Sequence, residues 1–371
     1  MTRKTFQAAV FRPDVDAAQM ETVSLNELRV DEVLVKLVAS GICHTDLTCR
    51  NGFMPMPRPI VLGHEGSGIV ESVGSAVKSI KPGDKVVMSF LPCGTCAKCQ
   101  AGSPAQCHNF APHNLSGRRA DGSTAISSGN GEVGGHFFGQ SSFSTYSVAN
   151  ERNVVKVRAD APLELLGPLG CGVQTGAGSV MNVLQPKAGD SIVVFGAGGV
   201  GLSAVMAAVV EGCKPIIVVE PNAARRTLAL ELGAHHALDP NDGSDTLKKL
   251  QQLSAGGLNH ALDTSGHIPV FSTALAALGP GGKFAFVSAQ KLDAMMPPMA
   301  VLDLVGRSIT LRGVNMGDSV PKTFIPKLVD LIMAGKFPVQ KLVQYYDFKD
   351  INKALDDQEH GRTVKPIVRM N

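Results

Sequence analysis

Charge and long apolar runs are the two things this sequence has little of. Charged residues make up 18% of the 371 and the formal net charge is +3, so nothing draws the chain over a distance to nucleic acid or to an anionic membrane. The run LSAVMAAVV at 202–210 is too short to span a bilayer and follows a glycine-rich turn. The opening MTRKTFQAAVFRPDVD has charges on both sides of a short apolar run and lacks the hydrophobic stretch of a secretory signal. Internal repeats, low-complexity tracts and blocks of like charge are absent as well. Together these absences point to a cytoplasmic protein that works on small molecules, with neither nucleic acid nor membrane as partner.

What is present is core-forming material. Apolar residues are 44% of a chain of 371 residues, longer than one hydrophobic core usually grows, so two domains are expected. The first half carries short β-rich runs, EVLVKLVAS (32–40), GSGIVESVG (66–74) and DKVVMSF (84–90), with turn signals such as KPGD at 81–84, and reads as a barrel or open sheet of antiparallel strands. From about residue 190 apolar strands alternate with helical segments. SIVVFG, PIIVVE, HHAL, HALDTSG, KFAFVSA and SITLRGV are six strand candidates, and their mostly helical crossovers describe a doubly wound parallel sheet, an α/β fold. QKLDAMMPPMAVLDLVG at 290–306 interrupts the last crossover and reads as surface filler, with a subunit or pocket edge as the alternative. The terminal GRTVKPIVRM could return as a strand to the first domain.

FGAGGVG at 195–201 supplies GxGxxG at Gly196, Gly198 and Gly201, after a strand and at the start of a helix. Gly196 permits the tight turn and Gly198 lets a pyrophosphate approach. Gly201 brings helix and strand together, and Gly199 and Val200 open the helix whose free N–H groups face the anion. Nineteen residues past Gly201 comes Glu220, whose carboxylate would accept both ribose hydroxyls and repel a 2′-phosphate, favouring NAD over NADP. Arg225 with Arg226 is the competing signal for a phosphate.

Four of the eight cysteines lie in CGTCAKCQAGSPAQC. In a reducing compartment such spacing indicates metal ligands rather than disulfides. Cys93, Cys96, Cys99 and Cys107 would wrap one ion tetrahedrally, zinc or a redox iron. Four protein sulfurs leave no vacant position, so this cluster staples a loop and does no chemistry. Cys43 in SGICHTD, His64 in GHEGSG and Cys171 in LGCGVQTG are scattered. Singly, each is explained as a packed thiol or a hydrogen-bonded ring. Cys49 and Cys213 fit no metal set and read as packed thiols.

GICHTD, GHEGSGIVESVG, the four-cysteine lobe, GCGVQTG and FGAGGVG, in this order, resemble the zinc-dependent medium-chain alcohol dehydrogenases across nearly the whole chain. The resemblance implies a GroES-like catalytic domain from 1–172 and 314–371, a Rossmann domain over 173–313, and an active site where they meet. It implies two zinc ions per subunit, a structural one on the lobe and a catalytic one on Cys43, His64 and Cys171 with one open position. Glu65 would sit near the catalytic zinc and Asp46 would orient His64. Thr45 would take the substrate proton as the zinc stabilises an alkoxide, and hydride would pass to the nicotinamide beside Thr175. Thr48 stands where many relatives have a relay histidine, so water or His44 would complete the relay. His44 and Lys365 match positions that contact the cofactor phosphates, and Arg225 is a further cofactor candidate. Phe90 matches a pocket-lining aromatic, with a core phenylalanine as the alternative.

FFGQSSFSTYSV at 137–148 and GCGVQTGAG are similar to bacterial benzyl (aryl) alcohol dehydrogenases. They imply NAD-linked oxidation of primary aromatic alcohols to aldehydes. A glutathione-dependent formaldehyde dehydrogenase, anchoring its substrate on Arg118 and Arg119, and an aliphatic alcohol dehydrogenase are the rivals within the class. A zinc-stapled nucleic-acid module and a catalytically silent cofactor-binding protein are the rivals outside it. The resemblance also implies a homo-oligomer, a tetramer rather than a dimer.

Overall fold

The structure, a computed structural model, describes residues 4–370 except Asp14, Asn130 and 289–293; the start of the 290–306 stretch and the first three residues of the opening segment lie outside the described residues. Along the chain come β1 (Thr5–Phe11), β2 (Gln19–Leu25), β3 (Glu32–Gly41), β4 (Ile60–Val61), β5 (Glu65–Val73), β6 (Lys85–Met88), β7 (Ile126–Ser128), β8 (Gly131–Val133), β9 (Tyr146–Asn150) and β10 (Val154–Lys156). Then follow β11 (Ile192–Phe195), β12 (Ile216–Val219), β13 (His236–Leu238), β14 (Leu258–Asp263), β15 (Leu278–Phe286) and β16 (Thr310–Gly313), and finally β17 (Val343–Asp347) and β18 (Lys365–Arg369). The chain divides into two compact units, one of Met1–Cys171, Val320–Met333 and Val339–Asn371, the other of Gly172–Ser319 and Ala334–Pro338.

The first unit is β-rich. One sheet has the order β4-β1-β2-β7-β8, a second β10-β6-β5-β3-β18-β17 with β9 also on β3. The terminal segment does return: β18 pairs antiparallel with β3, Ile367 opposite Gly41. β3 has strand partners β5, β9 and β18, and its run of valines and leucines is accordingly buried almost throughout, as central strands require. Val33, Val35, Val70, Val86 and Met88 form the core beneath it. This packing fixes the ends of β3 and β5, where Cys43 and His64 emerge.

The second unit is a six-stranded sheet, order β13-β12-β11-β14-β15-β16, every pair parallel. β11 and β12 are short runs of Ile, Val and Phe, buried at every residue, the pattern of strands covered on both faces. Helices Gly199–Val210, Ala223–Glu231, Thr246–Leu253, Ile268–Ala277 and Val301–Arg307 fill the crossovers. Asn222 and Asp245 start two of them by accepting the N–H of Arg225 and Lys248. The order reverses beside β11, the position at which open α/β sheets bind ligands. After residue 293 the stretch lies at the surface. Helix Val301–Arg307 presents Val301, Leu302 and Val305 outward, Leu302 at 85% exposure, and Met295 is exposed as well.

Candidate active site

Cys43 caps helix His44–Arg50, which starts where β3 ends. Its backbone N–H donates to Asp46 Oδ2 at 2.9 Å, the reciprocal capping arrangement of a helix start. The other oxygen of Asp46 accepts from Gly63 N and lies 3.0 Å from His64 Nδ1. One buried carboxylate therefore ties the two chain segments and fixes which ring nitrogen carries the proton. Cys171 follows the turn Gly167–Gly170, held where Ser89 Oγ donates to the Gly170 carbonyl. Cys43 Sγ and Cys171 Sγ are 3.9 Å apart, and with His64 their donor atoms all lie within 4.8 Å of one another.

The trio fits a metal ion on its own chemistry. His64 Nε2 is fully buried with no hydrogen-bond partner, a state that costs free energy unless a ligand satisfies it. The hydrogen bond from Cys171 holds the Cys43 thiol well below its ordinary range against the cost of burial, with the His64 ring assisting. Two sulfurs and an imidazole are the donors zinc prefers, and three protein donors leave a position open. Thr45 Oγ1 is 3.8 Å from Cys43 Sγ. Thr48 Oγ1 donates to the His44 carbonyl within the helix, and His44 itself is exposed.

Cys93, Cys96, Cys99 and Cys107 form the second donor group, also within 4.8 Å. Backbone N–H groups of Cys96 and Cys93 donate to the sulfurs of Cys93 and Cys107, each at 3.3 Å. Burial opposes ionisation of Cys93, but the amides of Cys96 and Thr95 bring its thiol down to about 5. Cys49 and Cys213 stand outside both groups, their thiols pushed up to about 12 by burial.

Lys365 has partners inside the fold as well. Its Nζ lies 3.0 Å from both oxygens of Glu65 and donates to the Ile42 carbonyl, and the side chain is almost wholly buried. Burial would depress its pKa, yet the Glu65 charge more than offsets that and raises it. Three acceptors inside the fold thus surround the ammonium, two of them on the one Glu65 carboxylate. Arg118 and Arg119 are engaged too: Arg118 pairs with Glu132, and Arg119 makes a buried, two-point pair with Glu32. Neither is a free anchor for glutathione carboxylates.

Phe90 is fully buried, 5.6 Å from the Phe110 ring. Sequence reasoning gave no role to Phe137, Phe138 or Gln140, which lie beside the trio. Phe138 stacks on the His64 ring at 4.4 Å and 25°. Gln140 donates to the His64 carbonyl at 2.9 Å and accepts from Gly66 N. FFGQ holds all three in the sequence, but nothing local says which ring lies on the face of the histidine.

In the second unit the glycine loop has the form its spacing predicts. Gly196 sits at φ 90, a left-handed conformation, and a Cβ on Gly201 would lie 1.9 Å from the Gly196 carbonyl oxygen. Open space surrounds Gly198, whereas Gly199 and Val200 start the helix. Glu220 accepts from Ala197 N at 2.6 Å and from Asn222 N at 2.9 Å, so the acid closes onto the loop. Arg226 pairs with Asp239. Arg225 keeps a buried, unpartnered Nε. Thr175 lies on helix Gly172–Gly178 and its carbonyl accepts from Ser179.

Residues 29–159 match the alcohol dehydrogenase GroES-like domain, and residues 199–334 match the zinc-binding dehydrogenase domain. The chain belongs to the zinc-binding medium-chain alcohol dehydrogenases. A geraniol dehydrogenase of Castellaniella defragrans is 48% identical over 363 residues, 98% of this chain and 97% of that one. The structure of an alcohol dehydrogenase zinc-binding domain protein from Burkholderia ambifaria is 45% identical with a TM-score of 0.97, covering 100% of both chains. Benzyl alcohol dehydrogenase from Acinetobacter calcoaceticus is 43% identical with a TM-score of 0.95, over 99% of this chain and 100% of that one. This dehydrogenase therefore has the GroES-like and Rossmann architecture of its family, which works with zinc and NAD(P). No helix among the described residues is long and apolar enough to cross a membrane.

Proposed function

We propose that this dehydrogenase uses NAD to oxidise primary alcohols whose carbinol carbon adjoins a π system, benzyl-type alcohols foremost, to aldehydes. The observation that carries this reading is the set of rings around His64: Phe138 on its face, Phe137 edge-on at 5.4 Å, and Phe110 and Phe90 behind. An aromatic cluster packed against the trio would favour a flat, polarisable substrate over a saturated one. Geraniol and benzyl alcohol, the substrates named for two relatives, share a double bond or ring next to the reacting carbon. An allylic terpene alcohol is the second reading, supported by the geraniol enzyme's 48% identity. The glutathione route loses support because Arg118 and Arg119 are already paired.

Cys43, His64 and Cys171 would hold one zinc, and Cys93, Cys96, Cys99 and Cys107 a second, structural one. When bound, the first would supply a Lewis acid for the alcohol, and a nicotinamide would supply the hydride acceptor. Thr45 would accept the alcohol proton. The Thr48 hydroxyl is turned to the His44 carbonyl, so exposed His44 or water would carry that proton onward. Asp46 would keep His64 in one tautomer. Lys365 would hold the Glu65 carboxylate in place. Gly196, Gly198, Gly199, Val200 and Gly201 would cradle the pyrophosphate and Thr175 would meet the nicotinamide. Glu220 would disfavour a 2′-phosphate, a preference supported by the engagement of Arg226 with Asp239.

A homo-oligomer, a tetramer over a dimer, would cover exposed Met295, Val301, Leu302 and Val305 and the outer edge of β16. The deciding experiment counts metal per chain and compares turnover with NAD and NADP on benzyl alcohol, geraniol, a saturated primary alcohol and S-hydroxymethylglutathione. Two zincs with benzyl alcohol leading support the reading. A lead for the saturated alcohol, or preference for NADP, overturns it.

A further inference from the structure

The geometry points to Phe138 as a positioning residue for His64, fixing the plane of the ring that Asp46 fixes only at one end; this rests on the reading that His64 helps hold an ion. Phe138 has φ 51 and ψ 34. For a bulky side chain that left-handed conformation costs on the order of 1–2 kcal/mol. It persists only where surrounding bonds determine it, and here they do. Gly139 N donates to the His136 carbonyl at 2.8 Å and Ser141 N to the Phe137 carbonyl at 3.0 Å. Ser141 Oγ accepts from Phe137 N and donates to the Val61 carbonyl, while Asn153 Nδ2 donates to the Gly139 carbonyl at 3.2 Å. Gln140 then fastens this turn to the His64 carbonyl and to Gly66 N.

The outcome of that strained turn is one contact: the Phe138 ring, nearly parallel to His64 with centroids 4.4 Å apart. A ring held by a single hydrogen bond, Nδ1 to Asp46 at 3.0 Å, can still tilt about the direction of that bond. An aromatic plane against its face removes the tilt, and the edge of Phe137 at 86° closes a second side. The orphan Nε2 is thereby aimed in one direction. Ligand direction matters because partners outside the donor set commonly change metal affinity by about 10- to 100-fold.

The test reads the ion directly. Release of metal from the intact enzyme to a chromogenic chelator is followed for wild type, Phe138→Leu and Phe110→Leu, alongside the visible absorption of the cobalt(II)-substituted enzymes. Phe110 belongs to the same ring cluster and touches Phe138, so it controls for lost packing. In Phe138→Leu one of two ions should leave about tenfold faster with a shifted cobalt band, the other staying within about twofold, and Phe110→Leu should resemble wild type. If Phe138→Leu does not fold, Phe138→Gly, which adopts the left-handed backbone freely, should show the same change. Unaltered release and spectrum overturn the inference, as would equal acceleration of both ions or an equal effect of Phe110→Leu. A wild-type chain with a single ion that Cys43→Ser leaves in place would instead sink the reading of the trio as a metal site.

Discussion

Lys365 Nζ sits 3.0 Å from each carboxylate oxygen of Glu65, both side chains sealed from solvent. Removing one member of such a pair leaves a buried charge uncompensated, at a cost of about 3–5 kcal/mol, whereas removing both costs much less. Lys365→Met should therefore lower the thermal midpoint sharply, and Glu65→Gln added to it should recover much of the loss. The same variants test the cofactor question. If the ammonium serves Glu65 rather than a phosphate, the KM for NAD should rise less than about threefold in Lys365→Met; a rise of about tenfold or more would assign it to the cofactor instead.

Acid stability should depend on Glu32. Burial would raise its pKa, but the His136 ring, the Arg119 guanidinium and the Arg29 amide together bring it from 4.5 down to about 2. A carboxyl lowered in the folded state stabilises it above the unfolded value and loses that contribution as pH falls through the folded one. The gap corresponds to about 3 kcal/mol. Denaturant melts from pH 6 to pH 2 should show wild type converging on Glu32→Gln in the acid range; parallel curves would contradict the assignment.

Asp263 has the opposite sign. Burial raises its pKa, Oδ2 has no partner, and Oδ1 alone accepts from Ser265. A carboxyl raised in the folded state costs stability once pH rises through its unfolded value, and the full cost is reached above its folded one. Asp263→Asn should accordingly be more stable than wild type at pH 8. The gain should vanish near pH 3, where both states are protonated, as calorimetry across this range would reveal.

The two donor groups should fail differently. Cys43→Ser should remove one metal equivalent and lower turnover by on the order of 10³-fold, the scale of losing several kcal/mol of charge stabilisation. Its melting temperature should change little. Cys96→Ser should also remove one equivalent, but with earlier melting and loss of the 93–107 loop to protease. Metal analysis, kinetics and limited proteolysis on both variants distinguish these outcomes.

What the sequence disclosed was what spacing carries. The glycine loop is a local pattern, and its steric demands at Gly196 and Gly201 follow from a few neighbouring residues. The four-cysteine lobe is equally local. Cys43, His64 and Cys171 became a set only through resemblance, because the 128 residues separating the sulfurs carry no periodic signal that brings them together. Partners across the fold were hidden for the same reason. The contact of Lys365 with Glu65 spans 300 positions, and that of Arg119 with Glu32 spans 87. Phe138 was invisible as a ring partner of His64, since a left-handed phenylalanine follows from the surrounding bonds and not from propensity. How far Leu302 stands out was equally hidden, because an apolar residue carries no mark of which way it faces.

Asp46 joins the amide of Cys43 to the imidazole of His64. The turn that carries the Cys43 sulfur and the turn that carries the His64 ring are therefore clamped to each other through a single carboxylate. Loss of that carboxylate would loosen both donors at once, whereas the walls around them could change without disturbing the clamp.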